Sequence, residues 1–90
     1  MIAPTEDDVL CGKNKDCVNF PGSVRFREIV DAYAHRYATA SSKFEKMVIT
    51  KTIYDKVIRT SRFLKYNEKE EVWEEISMMA ARDKIGHRQV

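Results

Sequence analysis

Eight cations in this chain stand where phosphate chemistry would want them. Lys13 and Lys15 sit in a polar loop, and Arg25 and Arg27 enter the helix that follows it. Lys56 and Arg59 share the polar strip of a second helix, and Arg62 and Lys65 open a strand. Basic side chains beside a helix start suit contact with a nucleic-acid backbone, because the helix N-terminus has free amides and partial positive charge. DNA is the expected partner and a regulatory module the expected role, with these eight residues on phosphates. No base-reading pattern is legible, so no sequence preference follows.

Other chemistries find less support. Cys11 and Cys17 lie six apart, while His35 and His87 are distant and unpaired. A tetrahedral zinc site needs four ligands, usually in short paired spacings, so no metal is expected. Asp7/Asp8 and Glu74/Glu75 are adjacent pairs whose side chains diverge on an extended backbone. There is no Ser-His-Asp spacing and no phosphate loop of the P-loop type, so the chain is expected to be no enzyme and to need no cofactor. Cys11 is expected to pack as a small apolar residue and Cys17 to sit in a loop.

Charge is distributed in blocks. Residues 37–66 carry seven basic and two acidic side chains, and residues 67–77 carry Lys69 against Glu68, Glu70, Glu71, Glu74 and Glu75. A total of only +2 thus hides a basic block beside an acidic one. Opposed faces of this kind supply the alternative function, a protein-interaction or self-association module.

The elements that must position these groups follow from pattern. Ninety residues, 43% of them hydrophobic, allow one domain with one small core. Residues 1–7 read as a tail and 8–90 as a single α+β domain. Residues 1–8 are acidic and have no apolar run, so no secretory signal is expected and Cys11 and Cys17 are expected to be reduced. The expected location is intracellular, and nuclear if the partner is DNA; no membrane association is expected.

Val9-Leu10-Cys11 reads as a short strand and Gly12 to Gly22 as a loop. Phe26, Ile29, Val30, Tyr33 and Tyr37 recur at helical spacing and predict one helix over about 22–39, with Pro21 and Ser23 in its first turn. A second helix is predicted from about 42 to 60. Phe44, Met47, Val48, Ile49, Ile53, Tyr54, Val57 and Ile58 cover so much of it that burial on two sides is expected. Residues 62–66 and 71–76 flank a polar turn and predict a hairpin packed on the helices. Ser77 can cap a last helix. The order is β-α-α-β-β-α.

The expected core is Leu10, Phe26, Ile29, Val30, Tyr33, Tyr37, Val48, Tyr54, Val57, Ile58, Phe63, Trp73, Ile76 and Ile85. Trp73, Tyr66 and Phe63 would stack bases if the sheet were exposed. Core packing is the stronger claim on the single tryptophan.

Asp8-Val9-Leu10-Cys11-Gly12-Lys13, a polar loop, and then Phe20-Pro21-Gly22-Ser23-Val24-Arg25-Phe26-Arg27-Glu28-Ile29-Val30 carry a resemblance. Arg62-Phe63-Leu64, Trp73 with Ile76, and Ala81-Arg82-Asp83-Lys84-Ile85 extend it in order. Together they resemble an uncharacterised domain-of-unknown-function family abundant in diatoms and related algae. Its signature runs D-V-L-x-G-R-G, a variable loop, then H-P-G-N-x-x-F-R-x-L-V. Lys13-Asn14 replaces R-G here, Phe20 replaces His, and Thr60-Ser61 stands where two glycines often precede R-F-L. The resemblance implies a regulatory or binding module and no defined activity.

Overall fold

The computed structural model describes residues 2–89. Its elements are β1 (Val9–Leu10), α1 (Lys15–Val18), α2 (Pro21–Ala32), α3 (Ala34–Thr39), α4 (Lys43–Ile58), β2 (Phe63–Asn67), β3 (Val72–Glu75) and α5 (Met78–Gln89). The domain is α+β, and the order β-α-α-β-β-α holds with two refinements. The long first helix is broken at Tyr33, whose N–H bonds to the Val30 carbonyl three residues back. The polar loop also contains a helical turn, α1, begun by the Asn14 side chain accepting from the Cys17 N–H at 2.9 Å.

Local chemistry sets the ends of the longer helices. Pro21 opens α2, where its missing N–H costs nothing. The Ser42 hydroxyl caps α4 by accepting from the Glu45 N–H at 3.1 Å. The Glu45 carboxylate returns to Ser41, accepting from its N–H and hydroxyl, and these bonds lower the Glu45 pKa. Ser77 caps α5 through the Ala80 N–H. Ser23 does not cap α2: its hydroxyl accepts from the Leu10 N–H at 3.0 Å and ties the helix to β1.

The sheet runs β1-β2-β3, with β1 parallel and β3 antiparallel to β2. Val9 pairs with Phe63 and Leu10 with Leu64, so alternation sends each pair to a different face. Val9 and Phe63 join Phe26, Val30, Ile49, Ile53, Val57, Ala81 and Ile85 in the main core under α2, α4 and α5. Leu10 and Leu64 meet Cys17 on the other face, flanked by Ile2, Phe20 and Trp73. Cys17 is therefore a buried residue of α1, not a loop residue, and Cys11 packs half-buried against the opposite core. Ile2, set by sequence in a tail, lies on the domain and bridges to Trp73 beyond the hairpin.

The largest departure concerns α4. Only Ile49, Ile53 and Val57 are buried along it, one stripe instead of two sides. Val48, expected in the core, is 45% exposed, and Phe44 is 67% exposed. Among the described residues no further element covers that face, because α2 and α5 already occupy the buried side.

One backbone contact fixes how α2 meets β1. Gly22 is buried, and a Cβ there would lie 2.7 Å from the Asp7 carbonyl oxygen and closer still to that of Asp8. Neither atom is a flexible side chain that can turn away. Gly22→Ala is expected to cost roughly 1–3 kcal/mol as the helix and strand move apart. Urea denaturation reads this directly, and an unchanged midpoint would refute the close approach. Among the described residues no helix is long and apolar enough to cross a membrane.

Candidate nucleic-acid interface

The fold sorts the eight cations into three groups. Arg62 leaves the expected track. Its Nε donates to Asp8 Oδ1 at 3.0 Å and its Nη2 to Asp8 Oδ2 at 2.8 Å. The Asp8 carboxylate is 3% exposed and also accepts from the Thr5 and Arg62 backbone N–H groups. Hydrogen bonding from Arg62, above all, holds the Asp8 pKa down at about 2, and the same bond raises that of Arg62. Arg62 thus fastens β2 to the chain entering β1, with its fork matched to the carboxylate. Arg25 is likewise engaged, its Nη2 donating to Asp7 Oδ1 at 2.6 Å.

A second group lies on the α2–α4 face. Lys56 sits 5.5 Å from the centre of the Tyr33 ring, in a shallow hollow it shares with Arg25 and Glu28. Arg59 is exposed where α4 ends. The acid Glu28 and the Arg25–Asp7 pair dilute the positive charge there.

The third group gathers at the carboxyl end of β1. Arg27 from α2 and Lys84 and Arg88 from α5 line an open cleft of about 310 Å3, floored by Val9, Leu10, Gly12 and Phe26. No carboxylate is among its lining residues. Lys84 lies 5.8 Å above the Phe26 ring, which holds its stem against the core. Arg88 lies 3.5 Å from Asp31 in an exposed pair, so its charge is only partly answered. Cys11 reports on the same neighbourhood. Burial pushes its thiol pKa up, while the charges of Lys84 and Lys65 pull the other way. Lys65 is exposed on β2, opposite Glu74 on β3.

Lys13 and Lys15 follow the cleft residue Gly12 in the chain; both are exposed and form no ion pair among the described residues. The α2 N-terminus itself is closed. Gly22 and Ser23 are buried, with the Asp7 and Asp8 carbonyls against the first turn, so a phosphate has no approach to the amides there. Side chains alone would have to hold it.

Sequence reasoning missed Lys84 and Arg88. The signal was their spacing of four in the last helix, which puts both on one side. Phe63 is 1% exposed and cannot stack a base, whereas Tyr66 is exposed beside a half-buried Trp73 at 5.3 Å.

A parallel strand pair flanked by helices, with cations collected at its carboxyl end, defines a small α+β domain. The chain belongs to the family described as domain of unknown function DUF6824, whose model matches residues 8–88. No curated protein and no solved structure matches it.

Proposed function

We propose that the domain binds nucleic acid, DNA in the first instance, by its phosphate backbone. The contact is the cleft at the end of β1, with Arg27, Lys84 and Arg88 as its centre and Lys13, Lys15 and Lys65 around it. The observation that carries this reading is the convergence of three cations from two helices on one cleft without a lining carboxylate. Backbone contact of this kind is insensitive to sequence and sensitive to salt. A nuclear regulatory role is the setting it implies.

Titration of random duplex DNA at several salt concentrations tests it. Arg27→Gln with Lys84→Gln should weaken binding equally for all sequences and lower the slope of log K against log salt by about 0.9 for each phosphate no longer neutralised. Lys13→Ala with Lys15→Ala should act the same way while leaving stability within about 0.5 kcal/mol. A folded protein with no affinity at low salt would sink the reading.

A second reading rests on the hairpin. Glu68, Glu70 and Glu71 at its tip and Glu74 and Glu75 along β3 are all exposed. This acidic face, opposed to the basic one, would support head-to-tail self-association or a protein partner. Sedimentation across a concentration range, repeated at high salt, separates self-association from DNA binding.

A further inference from the structure

The face of α4 that its composition marks for burial, and that no described residue covers, lies away from the basic cleft. Phe44, Met47 and Val48 fall at spacings of three and four on the first half of α4, and all three are exposed. Met79, 75% exposed on the first turn of α5, stands across from Met47. Between them runs an open groove of about 560 Å3 bounded by Tyr37 from α3. Met47, Met79 and Tyr37 line this groove, whereas Phe44 and Val48 line a second hollow of α4 against α3. Isolated exposed hydrophobics are ordinary, but apolar residues gathered in a groove mark an interaction surface.

Charge around the groove narrows the occupant. Lys43, Lys46 and Arg82 line it against a single carboxylate, Asp83. Lys46 lies 5.5 Å from the Tyr37 ring centre, so its stem covers apolar surface while its ammonium faces outward. Glu45, on the neighbouring side of α4, has its carboxylate taken up by Ser41. An apolar floor with methionines at its edge and a positive rim suits a partner with an apolar stripe and acidic flanks. Helices α3, α4 and α5 build the groove, with no strand edge beside it for an extended peptide to join. Methionine side chains repack around helices of varied sequence.

We propose that the α3–α4–α5 groove docks an acidic amphipathic helix of a partner protein. Met47, Met79 and Tyr37 take its apolar stripe, and Lys43, Lys46 and Arg82 take its carboxylates. A second copy of this chain is the poorer occupant. Its acidic segment is a hairpin tip, Asn67-Glu68-Lys69-Glu70-Glu71, with charge but no apolar side chain to fill the floor. The proposal does not depend on nucleic-acid binding.

The test uses the full chain and a fluorescent model peptide of about five helical turns. Apolar residues repeat at i, i+3, i+4 and i+7, and glutamates flank them. Controls are the same composition scrambled and a version with lysine for glutamate. The acidic amphipathic peptide should bind, with backbone amide shifts centred on Tyr37, Met47, Met79 and Arg82. The scrambled and basic versions should bind at least roughly tenfold more weakly. Met79→Glu, at an exposed position that tolerates the change, should also lose about tenfold or more, and Lys43→Glu with Lys46→Glu should weaken binding and remove most of its salt dependence. No binding, equal binding of the scrambled peptide, or shifts mapping to the cleft at β1 would overturn the proposal. So would unchanged affinity in a folded Met79→Glu protein. Concentration-dependent dimers of the chain alone, abolished by Met79→Glu, would assign the groove to self-association instead.

Discussion

Phe63→Ala is expected to lose about 4 kcal/mol, a large part of the stability available to a domain of this size. Phe63 is fully buried at the centre of the main core. The Phe26 ring meets it edge-on at 5.4 Å, and Tyr54 lies parallel to it at 6.0 Å. Removing it leaves a cavity bordered by a strand, α2 and α4, none of which can close on it without breaking the pairing with Val9. Trp73 makes the informative contrast. It is half-buried on the smaller core, where Tyr66 covers one side. Trp73→Ala should therefore cost about half as much, although tryptophan is the larger residue. Urea midpoints for the two variants settle the order, and a larger loss at Trp73 would mean that the main core has been misplaced.

Arg62→Ala is expected to lower the urea midpoint, an effect on folding before any effect on binding, because the buried carboxylate loses its charged partner. It leaves the buried Asp8 carboxylate without its two guanidinium bonds, while the backbone donors of Thr5 and Arg62 remain. Arg62→Lys should recover only part, since an ammonium cannot make the paired contact. Acid exposes the same bond. The Asp8 pKa is lowered from 3.8 to about 2, so the folded state resists protonation more than the unfolded chain does. Stability from this group is complete above about pH 5 and falls as pH drops toward about 2, by about 2 kcal/mol in all. Unfolding free energies measured through that range should show this acid limb in the wild type and a flatter one in Arg62→Ala. Identical limbs would remove the pair from the acid response.

How much of the fold is legible in the sequence varies with the physics involved. The hairpin and the stripe from Phe26 to Tyr37 are readable because period 2 and period 3.6 are local properties. Ser42 and Ser77 are readable as caps for the same reason. The turn α1 is hidden by the Gly-Asn-Asp composition of its loop. Its two signals, Asn14 as a cap and Cys17 as a buried side chain, are each weak alone. The apolar richness of α4 is plain, but burial on two sides does not follow from it, since hydropathy does not count how many neighbours the fold can supply. Cations are the least legible. A sequence shows that Arg25 and Arg62 are charged, but their partners lie 18 and 54 residues away. Arg27 keeps its place among the cleft residues, and its companions Lys84 and Arg88 stand on a last helix whose weak apolar stripe draws notice before its cations do.

The parallel pairing of β1 with β2 has a consequence for the order in which the domain can assemble during synthesis. The strand nearest the N-terminus emerges first and finds its partner only after α1 to α4 have been made, so the N–H groups of Val9 and Cys11 must wait for the carbonyls of Arg62 and Leu64. Local helices form in microseconds, whereas closing a loop of this length over a parallel strand pair is slow and is rewarded only late. A nascent chain halted before Phe63 therefore has helices but neither of its two cores, and each core draws a residue from β1 and one from β2. β2 gives the waiting strand its partner, and the main core is completed only when α5 brings Ala81 and Ile85 to it.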